Sequence, residues 1–568
     1  MAGDRSAGIR AGEGIGPTLS QAIERHVRPG DTVHVVLGHS RWTALARELA
    51  RQHWGGDPGF TLVMASLGSL GALFFRGGLV RKVVTAYSGD SFPTYSPNPI
   101  FRQAYESGEV EVEHWSFLTL AQRLEAAARG LPAAVTGSLT GSDMARNDAY
   151  EQVETPFGTV GMVAPLAPDV ALLHAAAADR LGNLLISEPL LEGLWGAWAA
   201  RRGVVATVER IVDDLEGLGH RVRLPAHRVL AVVEAPFGAH PGGCYAGGLP
   251  VTSYGEDIAF WIDSARAARE DFDGWAARWM LGPPDHRAYL EGIGPDRLAW
   301  LAGRSDPDSW HEDAEAHPVP VEEPVSRWES AAALAARELV RVSEEIDADG
   351  VLAGAGVANL AAWVAVGQAR ERGRPLLLTA ELGLWGYDPT PADPYIFNHR
   401  VFPGTTYLSD ASTVLGVLVG GPGTRVVGCL GAAEVDRRGD LNSTLLGNGR
   451  FLVGSGGGND VASRADACVV TTLAGPQRLP DRVAYVTSPG DRVRSIVTDL
   501  GVLRRLDGSF RVAAVPEGEG PIDQRVAALV GSCGWQPEVV REVEELPAVT
   551  ARELLALRDY DRERVFLG

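Results

Sequence analysis

The sequence predicts an α/β protein of two related domains, each built on an open, mostly parallel sheet. Three observations carry this prediction. Short apolar runs alternate with amphipathic helical patterns, the mark of βαβ units. Two landmarks of the first half recur, in the same order, in the second. A segment crowded with Pro, Asp, Glu and His, GRSDPDSWHEDAEAHPVPVEEP at 303–324, separates the halves without helical or strand periodicity. At 568 residues the chain also exceeds what one ordinary core accommodates. The expected organisation is a first domain at 1–302, an exposed linker at 303–327 and a second domain at 328–568.

In chain order, DTVHVVLG (31–38) reads as a strand, SRWTALARELARQ (40–52) as a helix and FTLVMA (60–65) as a second strand. The second half opens in the same way, with DGVLAGAG (349–356), NLAAWVAVGQARER (359–372) and PLLLTA (375–380). Later apolar runs continue the pattern at 204–215, 227–235, 467–474 and 483–488. Strand, helix and strand in this repetition call for parallel pairing, and ligands of such sheets sit beyond the carboxyl ends of the strands.

The first landmark is a strand-end turn. LVMASLGSLG at 62–71 and LLTAELGLWGYD at 377–388 share a register in which Ser66 of one half stands where Glu381 stands in the other. The second is a turn after an apolar run, with Asp179, Arg180 and Gly182 matching Asp436, Arg437 and Gly439. The two offsets, 315 and 257, differ by 58 residues, so the first half is longer between its landmarks. Preserved order with altered spacing indicates a duplicated fold that gained an insertion in one copy.

Charge narrows the function. Fifty-two basic residues face 72 acidic ones, a net charge of −20, and Lys82 is the only lysine. Such acidity disfavours nucleic acid or an anionic membrane as partner, and a small anionic ligand would need a local device. No 18-residue apolar run is present and MAGDRSAGIRAGEG has no signal-like apolar core, so a cytoplasmic protein without membrane contact is expected. Cys244, Cys429, Cys468 and Cys533 form no CxxC pair, which points to buried or incidental thiols.

Five places can carry chemistry. On position alone, Glu381 reads more readily as a turn carboxylate than as a catalyst. In a partly dry cleft the same group can act as general base or covalent nucleophile. In FLVGSGGGNDVASRA (451–465), Gly454, Gly456, Gly457 and Gly458 lie between an apolar run and a helix start, where successive N–H groups can hold a phosphate or an oxyanion. A flexible turn is the alternative, and no P-loop or GxGxxG spacing is present. The two DRxG turns read first as structural, Asp bonding its own turn, although Arg437 and Arg438 have the charge to meet a phosphate. His240, in VVEAPFGAHPGGCYAGG (232–248), reads as a hydrogen-bonded loop residue; it has no second His at metal spacing, and no metal site is expected. Glu113 precedes an amphipathic helix and reads as its cap, with a second carboxylate role held open. GxSxG is absent, which removes a Ser-His-Asp hydrolase.

The chain resembles family I coenzyme A transferases of the glutaconate CoA-transferase type, with the A and B subunits fused head to tail. PDVALLHAAAADRLGN, RRGVVATVERIVDD, VVEAPFGAHPGG and VEVEHWSFLTLAQRLEAAARGLP look like the A half of such an enzyme. LGAAEVDRRGDLN followed by VGSGGGNDVASRADA looks like the B half. The resemblance implies a CoA-transferase fold in both domains and makes Glu381 the nucleophile, carrying first an acyl group and then CoA. It implies Gly456 and Gly457 as N–H donors, with Gly454 and Gly458 shaping the loop, and Ser66 on the substrate side. The implied substrates are an acyl-CoA and a carboxylic acid, with no permanently bound cofactor, and the implied assembly is a homodimer. Departures are Glu434 where the family often has Gln, Asp440 where it often has Asn, and Gly38, His39 and Ser40 in place of a glycine-rich strand end. A related branch hydrolyses CoA-linked substrates with an A-half glutamate, for which Glu113 is the nearest match; the presence of Glu381 favours transfer.

Overall fold

The computed structural model describes residues 14–36 and 42–568. Gly38, His39 and Ser40 lie outside the described residues. The chain divides into two compact units, one of residues 1–135 and 162–307, the other of 136–161 and 308–568.

The first unit is centred on strand Thr32–Val35, which pairs in parallel with Phe60–Val63 on one side and Val170–Asp179 on the other. Gly203–Val212 and then Val229–Glu234 extend the sheet in parallel beyond Val170–Asp179. Val80–Thr85 and Glu111–His114 extend it in parallel beyond Phe60–Val63. Every residue of Val170–Asp179 is buried, as a strand covered on both faces requires.

The second unit repeats this order. Gly350–Ala353 lies between Leu377–Ala380 and Val426–Gly431, and Ala467–Thr471 and Val493–Thr498 follow, all in parallel. In both units the first strand is flanked on one side by the second and on the other by three parallel strands from later in the chain, an arrangement that agrees with the expected duplication. The sheet then continues through Gly501–Leu506, Ser509–Pro516 and Glu538–Leu546.

Two readings of local structure change. The apolar run 483–488 is not a strand. Its backbone groups are divided among separate segments: Val483 N donates to Asp436 Oδ2 (3.2 Å), Val486 N to Asp143 Oδ2 (2.6 Å) and Thr487 N to Leu441 O (2.8 Å). Glu113 does not cap the helix Phe117–Arg129; Ser116 does, through a capping box with Thr119.

Around the segment read as a linker, Trp310–Ala316 is helical. Arg558, fully buried, donates to the carbonyls of Glu323 (2.8 Å) and Pro324 (3.2 Å) and pairs with the fully buried Glu329 at 2.6 Å. Glu329 is the N3 residue of the capping box that starts the long helix Arg327–Glu345. One buried ion pair thus joins a helix start, the C-terminal helix Ala551–Tyr560 and the incoming chain. Removing Arg558 leaves the buried Glu329 with the longer ionic contact to Arg564 at 3.7 Å, so Arg558→Ala is expected to destabilise the second unit by about 3–5 kcal/mol. The paired replacement Glu329→Met with Arg558→Leu is expected to cost far less, and denaturant midpoints of the two variants check this.

Candidate active site around Glu381

Leu377–Ala380 ends at Glu381, and the chain reverses into the antiparallel strand Leu384–Tyr387, with Ala380 opposite Leu384. The turn is tight because Gly383 takes φ of 118° and packs on the Ser409 carbonyl, where a Cβ would collide. Ser409 N donates to Gly383 O at 2.8 Å, and Gly383 N to Ala380 O at 3.2 Å. Glu381 therefore stands on a turn fixed from both sides.

The glycine stretch faces it. A Cβ on Gly457 would fall on the Glu381 carboxylate oxygen and also press on Leu415, so only glycine lets the backbone come this close. The Gly457 N–H donates to the carboxyl. Gly454 and Gly456 take positive φ (99° and 54°), and Gly458 begins the short helix Gly458–Arg464. The loop enters on Ser443, whose carbonyl accepts from Val453 N (3.1 Å) and Gly454 N (3.0 Å).

Glu381 keeps part of its surface open while its carboxyl is enclosed by protein. That enclosure is the main reason the carboxyl is pushed up to about 8; the nearby buried Asp460 adds to the rise, and the Gly457 N–H opposes it. A carboxylate this basic is a stronger nucleophile than an exposed one, and it is held beside a backbone donor. Attack on a carbonyl with the resulting oxyanion met by an N–H is the chemistry such a pair supports.

The other predicted residues lie elsewhere. Ser66 is in the first unit, on the two-residue strand Ser66–Leu67, where it lines a small pocket with Ser69, Ser91, Phe92, Glu256 and Trp261. Glu113 is surrounded by cations: Arg123 at 2.7 Å and Lys82 at 2.9 Å, with Trp115 Nε1 donating at 2.7 Å. Burial pushes its pKa up, but Lys82 and Arg123 outweigh that and hold the carboxyl below its ordinary range. His240 is buried between the Tyr289 hydroxyl (2.7 Å) and Asp257 (3.0 Å). Asp179 and Asp436 bond the backbone of their own turns, Leu181 and Asn183 in one, Arg438 and Asp440 in the other. Glu434 accepts from Asn442 at 2.7 Å, and Asp440 from Gly490 N at 2.8 Å. His174, Glu209 and Cys244 bring potential ligand atoms within 4.8 Å of one another. The imidazole and carboxylate there already bond each other, Thr207, Tyr254 and the Phe237 N–H, which makes the cluster a hydrogen-bonded core.

Sequence reading missed Asp460 and Asn459, both buried and both within one turn of Gly457. Their signal was available in the polar Asn-Asp pair that opens the helix directly after the glycines.

The model of the coenzyme A transferase family matches residues 17–235. The A component of the 3-oxoadipate CoA-transferase of Pseudomonas knackmussii is 34% identical over 286 residues, covering 49% of this chain and 97% of that one. The chain belongs to the coenzyme A transferase family. The B component of the 3-oxoadipate CoA-transferase from the same organism is 29% identical over 151 residues, 23% of this chain and 57% of its own length. This coenzyme A transferase thus covers regions of both components in one polypeptide. An acyl-CoA transferase of Escherichia coli O157:H7, crystallised as a thioester complex with CoA, shares the fold over 96% of both chains with a TM-score of 0.65 at 17% identity. Among the described residues no helix is long and apolar enough to cross a membrane.

The sign of the Glu381 shift has a measurable consequence. Below about pH 4.5 the carboxyl is neutral in both folded and unfolded chains. Between there and about 8 the unfolded chain ionises while the folded carboxyl stays protonated, so this group costs stability increasingly as pH rises. Glu381→Gln is expected to unfold at a higher temperature than the wild type, with the gap widening from pH 5 to pH 8; paired thermal melts across that range measure it.

Proposed function

We propose that the protein moves CoA from an acyl-CoA to a carboxylic acid through a covalent Glu381 intermediate. The enclosed Glu381 carboxyl, packed on the Gly457 backbone so closely that no side chain fits between them, carries this reading. The ionised carboxylate attacks the thioester carbonyl; a carbon–oxygen bond forms, the carbon–sulfur bond breaks, and CoA leaves as a thiolate. The product is an acyl-glutamyl anhydride, which retains the thioester's free energy instead of losing it to water. The thiolate then attacks the glutamyl carbonyl, forming a glutamyl-CoA thioester and releasing the donor's acid as its carboxylate. An incoming carboxylate reverses the two steps, leaving new acyl-CoA and free Glu381.

Gly457 supports the reading in two ways. Its N–H favours the ionised form of the carboxyl that attacks and lies beside the oxyanion of each tetrahedral intermediate. Its missing side chain leaves room for the acyl group that Glu381 must accept. Gly456 is the second donor in this proposal, and Gly454 and Gly458 set the loop's path. Ser66 belongs to the substrate side. A hydrolytic role for Glu113 has less support, because Lys82 and Arg123 keep that carboxylate weakly basic.

The wild type, incubated with acetyl-, butyryl-, succinyl- and glutaryl-CoA in turn and quenched with borohydride, is expected to carry a modified Glu381 in its tryptic peptide map. Product formation is expected to require a carboxylate acceptor. Thioester loss in water alone, retained by Glu381→Gln, would overturn the proposal. Gly457→Ala places a methyl group against the carboxyl and disturbs one donor, and its kcat is expected to fall by about 10²–10³. Steady-state rates with the fastest donor of the series check this.

A further inference from the structure

The segment 136–161 leaves the first half of the chain and belongs to the second compact unit. It falls inside the interval between Ser66 and Asp179, where the first half is the longer copy. Its contacts converge on the glycine loop. Leu139, fully buried and in the left-handed region at φ of 70°, donates its N–H to Asn459 Oδ1 at 3.0 Å. Few leucines adopt this backbone conformation, and here it aims the N–H at the loop. Four residues on, Asp143 grips Val486 twice: its N–H donates to Val486 O (2.8 Å) and its Oδ2 accepts from Val486 N (2.6 Å).

Asn459 is where these ties meet. The side chain is fully buried, and its Nδ2 donates to Thr487 O at 2.9 Å while Oδ1 holds Leu139. Its own N–H donates to Ser455 Oγ at 3.1 Å, inside the glycine loop. Thr487 in turn accepts from Ser443 N at 2.9 Å through Oγ1, and Ser443 O receives the Gly454 N–H. The loop from Gly454 to Gly458 is thus clamped at entry by Ser443 and at exit by Asn459, and both clamps close on the 486–487 stretch that Asp143 holds.

We propose that Asn459 is a positioning residue that fixes the Gly457 N–H against Glu381, and that segment 136–161 acts as the strap holding it in place. Asn459 touches neither the Glu381 carboxyl nor the reacting carbonyl in this assignment; it acts through the loop. The inference rests on the reading of Glu381 as nucleophile. It makes the donor's geometry depend on a segment contributed by the other half of the chain.

The test compares wild type, Asn459→Ala, Asp143→Ala and Asp143→Asn with the fastest donor of the acyl-CoA series. The readouts are kcat, KM for the acyl-CoA, and the single-turnover rate of the borohydride-trapped Glu381 adduct. Loss of donor alignment is expected to slow adduct formation and kcat by about 10- to 100-fold in Asn459→Ala. KM is expected to move by less than about 3-fold, because uniform binding is untouched. Asp143→Ala is expected to slow both rates in the same direction, and it carries the test if Asn459→Ala does not fold. Asp143→Asn, which retains an acceptor oxygen for Val486 N, is expected to stay near wild type. Adduct formation in Asn459→Ala or in folded Asp143→Ala within about 2-fold of wild type overturns the inference and leaves Glu381's role intact. A wild type with no adduct on Glu381 across the whole donor series overturns the underlying reading, and that outcome is seen before any variant is made.

Discussion

The close approach of the Gly457 backbone to the Glu381 carboxyl is the constraint on which the second unit's site depends. It depends on glycine at 457, because a Cβ there would displace the carboxyl oxygen from its present place. It requires the Gly383 turn, because Glu381 must be delivered rigidly from the end of Leu377–Ala380. It also sets the electrostatics. Enclosing the carboxyl raises its pKa to about 8, and the single N–H only partly compensates.

The repeated sheet order explains how the site arises in one half only. In both units the matched residue follows the strand paired beside the first one, Glu381 directly after Leu377–Ala380 and Ser66 three residues beyond Phe60–Val63, on its own short strand. The topology supplies a strand-end position beyond the sheet's carboxyl edge, where ligands of open α/β sheets bind. The residue type then decides what each position does. In the proposed mechanism the serine offers a hydroxyl for recognition, whereas the carboxylate facing a backbone donor carries the covalent chemistry.

Much of this was legible in the sequence, and the limits have physical causes. The alternation of apolar runs with helical patterns marked the parallel core, and Val170–Asp179 is buried throughout as a run of that kind should be. The matched ASLG and AELG turns marked Glu381. The run 483–488 failed as a strand because periodicity reports burial, not pairing, and its backbone groups are taken by Asp436, Asp143 and Asn459. Glu113 failed as a cap because the hydroxyl of Ser116, three residues on, competes for the helix start, while Lys82 and Arg123 claim the carboxylate. The role of Asn459 was hidden because its partners, Leu139 and Thr487, are 320 and 28 residues away. No local pattern records a contact at such separation.

A covalent carrier must be nucleophilic enough to open a thioester and yet leave readily when the thiolate or carboxylate returns. A solvated carboxylate is a poor nucleophile because water stabilises its charge. Burial removes that stabilisation and makes Glu381 more basic, so that even with the Gly457 donor the carboxyl titrates at about 8 and is largely protonated at neutral pH. The Gly457 donor favours the ionised form without neutralising it, as a cation would. The contrast with Glu113 is instructive, since two cations there hold the carboxylate ionised and weakly basic. A backbone N–H in place of a paired cation keeps a carboxyl close to its titration point in the neutral range, where small changes in donor position shift the balance most. For that reason the loop's anchoring, and not only its glycines, belongs to the account of the reactivity proposed for Glu381.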